Sequence, residues 1–113
     1  MAIEAQVFGT KNSNDTKKAL RFFKERGIKV HFVDLDQRPA APGELRRFGQ
    51  KHGWAALLNI KPAPGTLAES HVLPMLERNP RWLTTPLVRI GNEVAIGWDE
   101  TRWRDFLKSA ASL

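Results

Sequence analysis

The chain has 113 residues, 42% of them hydrophobic and 27% charged, which suits one folded domain with a single packed core. It contains no cysteine, which excludes disulfides, cysteine-ligated zinc or iron–sulfur centres and any thiol nucleophile from this sequence. Eighteen Lys and Arg against twelve Asp and Glu leave a net charge of +6, a field that favours anionic ligands or acidic partners without specifying a fold.

The first apolar run, Ile3 to Phe8, ends at Gly9 and predicts a buried strand. A polar stretch follows, Thr10-Lys11-Asn12-Ser13-Asn14-Asp15. Asn12, Ser13 and Asn14 are all good helix N-caps, and Asp15 suits the positive end of a helix dipole. From Thr16 to Arg26, Ala19, Leu20, Phe22 and Phe23 recur at helical spacing, and Gly27 stops the helix. Ile28 to Val33 is rich in β-branched residues and reads as a second strand. Strand, helix and strand make a βαβ unit, whose strands run parallel with a right-handed crossover.

Arg38 to Pro42 marks a connection. Gly43 to His52 is helical by Leu45, Phe48 and His52, closed by Gly53, and Trp54 to Leu58 reads as a further short helical piece. Lys61-Pro62-Ala63-Pro64-Gly65 is the strongest loop signal, and a helix from about Thr66 to Leu76 follows, with Pro74 disturbing its later part. Pro86 to Ile90 and Glu93 to Ile96 are strand-like runs joined by Gly91-Asn92, a two-residue hairpin signal. Asp99 caps a last helix whose Trp103, Phe106, Leu107 and Ala110 share a stripe. The prediction is one α/β domain over residues 1–113 with thioredoxin-like topology. Its four-stranded mixed sheet combines the βαβ unit with the hairpin, and a helical insertion spans about residues 40–82.

No apolar run approaches the roughly 20 residues of a membrane-spanning helix. The start, Met1-Ala2-Ile3-Glu4-Ala5-Gln6, lacks the basic and apolar blocks of a secretory signal, so a cytoplasmic location without membrane contact is expected. His31, His52 and His71 lack metal-ligand spacing, and neither a metal nor a cofactor is expected.

The segment Phe8-Gly9-Thr10-Lys11-Asn12-Ser13-Asn14-Asp15-Thr16-Lys17-Lys18-Ala19 resembles the active-site segment of the arsenate reductase/Spx/YffB (ArsC-like) family. That segment has an aromatic residue, glycine, three residues, cysteine, three residues, then basic-lysine-alanine. Ser13 stands where the cysteine would be. The likeness continues through Gly53-Trp54-Ala55-Ala56-Leu57-Leu58-Asn59, at Thr85-Pro86-Leu87-Val88 and at Gly97-Trp98. The resemblance implies a thioredoxin fold and a cis proline at Thr85–Pro86 beside the active-site loop. It also implies an anion site built from Thr10, Lys11, Asn12, Ser13, Asn14, Lys17, Lys61, Thr85 and Pro86.

The departures bear on activity. In the family, a helix N-terminus and nearby cations favour the thiolate. A serine hydroxyl gains no such ionisation and forms no mixed disulfide. Thr85 stands in place of the family's arginine and loses a bidentate oxyanion ligand. Beyond Leu58-Asn59, only Lys61 remains of the family's basic segment. Several changes around one pocket read as natural divergence, so thiol-dependent arsenate reductase activity is not expected. The chain is read as a non-redox binding or regulatory module with no catalytic residue, and an anion- or glutathione-binding enzyme of altered chemistry is the alternative.

Free N–H groups at a helix start bind oxyanions without a thiol, so a small oxyanion is an expected ligand of the Thr10–Asn14 loop. The resemblance to Spx-like proteins, which contact the transcription machinery, makes a protein partner plausible. Lys17, Lys18, Arg21 and Lys24 form a basic helix face, but no nucleic-acid-binding motif accompanies it, and direct nucleic-acid binding is not expected. Trp54 and Trp103 are expected to pack, whereas Trp82 and Trp98 are candidates to line the cleft.

Overall fold

The alternation that begins at Glu4 becomes the central strand of a sheet in a computed structural model that describes residues 3–60 and 68–111. Strand β1 (Glu4–Gly9) lies parallel to β2 (Lys29–Asp34), with helix α1 (Asn14–Glu25) crossing between them. Strand β3 (Leu87–Ile90) pairs antiparallel with β1, and β4 (Glu93–Ile96) antiparallel with β3. The order β2-β1-β3-β4 is the predicted mixed four-stranded sheet. Gly91 takes the left-handed conformation (φ 61°) that the tight β3–β4 turn requires.

The period of two along β1 separates two hydrophobic layers. Ala5 and Val7 point toward α1 and α4 (Glu100–Ala111), where they meet Phe22, Phe23, Val88, Trp103 and Phe106. Phe23 and Trp103 are fully buried, their ring centroids 5.5 Å apart, and Phe22 packs on both. Burial of each such side chain contributes about 1.5–3 kcal/mol. Of the predicted stripe on α4, Trp103 and Phe106 are buried and Leu107 packs against them, while the Ala110 side chain lies outside the described residues.

Phe8 points the other way, toward helices α2 (Pro42–His52) and α3 (Glu69–Arg78), and joins Val33, Leu45, Phe48, Leu57, Val72 and Leu87. This insertion is clamped to the sheet end by a short antiparallel bridge, Leu58 to Leu83. Flanking it, the Thr84 N–H donates to Leu57 O at 2.7 Å and the Asn59 N–H to Trp82 O at 2.9 Å.

Several boundaries differ from the sequence reading for identifiable reasons. Helix α2 starts one residue earlier, at Pro42, because a first-turn N–H needs no intrahelical partner and proline has none to leave. Helix α3 runs through Pro74 to Arg78. The carbonyl that Pro74 cannot serve belongs to Ser70, which is exposed and open to water. Ala68 is extended and precedes that helix; Thr66, the predicted start, and the Lys61–Gly65 loop lie outside the described residues. The 3₁₀ turn at Pro80–Trp82 was not predicted, whereas Trp54–Leu57 forms the expected short helical piece.

Candidate anion site at the start of α1

The site lies where the chain leaves the carboxyl end of β1 and enters α1. Gly9 closes the strand under the first helical turn. A Cβ there would sit 2.3 Å from Thr16 Oγ1, so the close strand–helix approach requires glycine. Ser13 is extended (φ −79°, ψ 120°) and is the N-cap of α1, its Oγ accepting from the Thr16 N–H at 3.2 Å. The Ser13 N–H donates to Thr10 O, which folds the loop into a turn, and the Lys17 N–H donates to Ser13 O. The N–H groups of Asn14 and Asp15 have no acceptor among the described residues, as the geometry of a helix start dictates.

The sheet brings a second segment to this loop from far along the chain. Thr85 Oγ1 lies 3.4 Å from Ser13 Oγ, and the Thr85–Pro86 peptide bond is cis, as predicted. Pro86 is buried and its carbonyl accepts from Gly97 N–H at 2.8 Å, tying the loop before β3 to the end of β4. Thr10, Asn12, Ser13, Asn14, Thr85 and Pro86 are thus built around one helix start.

The cations are arranged less compactly. Lys11 is exposed, and its Nζ lies 3.8 Å from the carboxylate of the more buried Asp34. The cause is register: Gly9 pairs with Asp34, so the last residue of β2 faces the first turn of the loop. Lys17 lies on the exposed face of α1, and Lys61 lies outside the described residues. Lys18 places its ammonium 5.6 Å from the ring of Trp98, which is 43% exposed and packs edge-on against Trp103. Trp54 and Trp82 pack instead against the α2–α3 layer. Sequence reasoning missed Thr16, whose hydroxyl is fully buried beneath the loop without a hydrogen-bond partner. It also missed Asp34. A polar residue on the otherwise apolar inner stripe of α1 was the available signal for Thr16.

Chemically, the arrangement offers the paired hydroxyls of Ser13 and Thr85, two free backbone donors and a fixed proline, and among the described residues no base is hydrogen-bonded to either hydroxyl. Among the described residues there is no cluster of His, Asp and Glu able to hold a metal. No helix among them is long and apolar enough to cross a membrane.

These elements define a thioredoxin-like α/β fold with a helical insertion between β2 and β3. Among solved structures, the chain is similar to arsenate reductase from Vibrio cholerae, with a TM-score of 0.80 and 13% identity over 94% of this chain and 99% of that one. It is similar to a YffB protein, with a TM-score of 0.79 and 20% identity over 91% of this chain and 98% of that one. A third likeness is to an arsenate reductase (ArsC) related protein from Brucella melitensis, with a TM-score of 0.65, 20% identity and 96% of each chain covered. At these identities the likeness establishes the fold, over nearly the whole length of both chains. No family model and no curated protein matches the sequence.

Proposed function

We propose that this chain is a non-redox binding module on an ArsC/YffB-like scaffold, in which the start of α1 holds a small oxyanion and a protein partner docks on the domain. The observation that carries the reading is the hydroxyl pair of Ser13 and Thr85, 3.4 Å apart at the capped start of α1 in a chain without sulfur nucleophiles. Thiol-based reduction of an oxyanion requires a sulfur that bonds to the anion and is then released by forming a disulfide. An oxygen at the same place hydrogen-bonds to the anion but cannot carry the electrons. The donors of Asn14 and Asp15 and the helix dipole remain to bind it.

The test is titration of phosphate, sulfate, arsenate and glutathione into labelled protein, followed through backbone amide shifts. Saturable shifts over Thr10–Thr16 and at Thr85 support the proposal, and no shift near Ser13 refutes the anion site. Arsenate-dependent oxidation of glutathione that disappears in Ser13→Ala would overturn the non-redox reading. Co-purification from native cells addresses the partner, and recovery of no reproducible protein would count against it.

A further inference from the structure

A cavity of about 540 Å³ lies on the insertion side of the sheet, between the loop that follows β2, the start of α2 and the end of α3. Its floor is apolar: Leu35, Leu45, Leu73, Leu76 and Leu83. Its size falls within the range of small-molecule pockets, and no part of it belongs to the site at the start of α1.

The chemistry of its wall is one-sided. Pro39, Pro42, Pro74 and Pro80 line it, and none carries an N–H, so the side-chain donors of the wall are the Gln37 amide and the Arg38 guanidinium alone. Acceptors are richer. Helix α3 ends at this cavity, and because Pro80 cannot donate back, the Leu76 carbonyl has no partner among the described residues. The negative end of the α3 dipole therefore faces the rim. Asp36 and Glu77 add carboxylates there, and neither takes part in an ion pair among the described residues. Helix α2 brings its N-terminus to the same cavity, but Pro42 removes its first N–H and Glu44 sits in its first turn. Arg38 is the one cation of the lining. In a chain of net charge +6, this is a locally reversed field.

We infer that the cavity binds a small apolar molecule bearing one protonated amine, its hydrocarbon body against the leucines and its ammonium at Asp36, Glu77 and the end of α3. Ammonium supplies donors and positive charge where the wall supplies acceptors. A carboxylate head would face Asp36 and Glu77 with Arg38 the one cation in support.

Three probes with one body and different heads test this: 4-phenylbutylamine, 4-phenylbutanol and 4-phenylbutyrate, titrated into the full chain and followed by amide shifts of residues 35–40 and 73–77. The amine is expected to bind about tenfold more tightly than the carboxylate, with the alcohol between them. Asp36→Asn with Glu77→Gln, both exposed positions, should collapse that preference to within about twofold. Ala40→Trp fills the cavity from the loop side and should abolish binding of all three while leaving amide shifts of α1 and α4 unchanged. Failure of all three probes to shift these residues at millimolar concentration overturns the inference. So does a carboxylate that binds as well as the amine, or a preference that survives the double substitution.

Discussion

Gly9→Ala is the sharpest probe of how the strand and helix around Ser13 are held. The added Cβ would lie 2.3 Å from Thr16 Oγ1 and 2.6 Å from Thr16 Cγ2, so both branches of the threonine block it. Thr16 is fully buried on the first turn of α1, and a β-branched side chain there has few rotamers to escape into. Against the clash stands the gain of about 0.4–1 kcal/mol from restricting the unfolded chain. Overpacking of a tight interior costs about 1–3 kcal/mol, and contacts well below 3 Å belong at the upper end, so the clash wins. The expected net loss is about 2 kcal/mol, a urea midpoint lower by about 1 M at an ordinary slope. Thr16→Ala removes both blocking atoms and also an unpartnered buried hydroxyl, so alone it should change stability by less than about 1 kcal/mol. The double variant should then recover more than half of the Gly9→Ala loss. Strict additivity, within about 0.5 kcal/mol, would refute the steric account.

Ser13→Ala should lower stability by about 1 kcal/mol in urea unfolding through loss of the Thr16 N–H cap, whereas Ser13→Gly should lower it by only a few tenths. Gly49→Ala, in α2, would place a Cβ 2.4 Å from Trp54 Cε3; the ring must move, and a changed near-ultraviolet circular dichroism band with a loss of about 1–3 kcal/mol is expected. Ser13→Cys puts a thiol at the helix start, where the dipole lowers its pKa below the usual value of about 8.5. Its alkylation by iodoacetamide at neutral pH should be faster than that of a cysteine at exposed Ser109. Arsenate should still not be turned over, because Thr85 supplies no cation. Equal alkylation rates would show that the helix start does not act on position 13.

The strand–helix–strand order, the Gly91-Asn92 hairpin and the Ser13 and Asp99 caps were legible because each rests on contiguous residues. Asp99 indeed accepts from the Arg102 N–H at 3.1 Å. Ile3 to Phe8 read only as a buried strand, and the division of Ala5 and Val7 from Phe8 into two core layers emerges with the helices packed on either face. What sequence could not supply depends on register and on distant segments. Lys11 reads as a free cation until the parallel pairing sets Asp34 beside Gly9. Pro39 and Pro42 read as marks of a connection and Pro74 as a disturbance in a helix, yet together with Pro80 they wall one cavity, because residues 35–45 and 73–83 meet only in the fold. Trp82 offered no local sign of choosing the α2–α3 layer over the cleft.

Capping a helix and holding an anion are separate demands on the loop around Ser13. Serine belongs to the set of preferred N-caps, so Ser13 stabilises the start of α1 whether or not a ligand binds there. Local stability alone is thus a sufficient cause for the loop, and the oxyanion reading has to stand on what capping does not need: the Ser13–Thr85 hydroxyl pair and the unused N–H groups of Asn14 and Asp15. Ser13→Gly parts the two causes, since glycine keeps most of the cap stability and removes the hydroxyl. Phosphate shifts at Asn14 and Asp15 that persist in Ser13→Gly place the anion on the backbone. Shifts lost in both Ser13→Gly and Thr85→Ala place it on the hydroxyl pair. If wild-type protein gives none, capping is all that position 13 does.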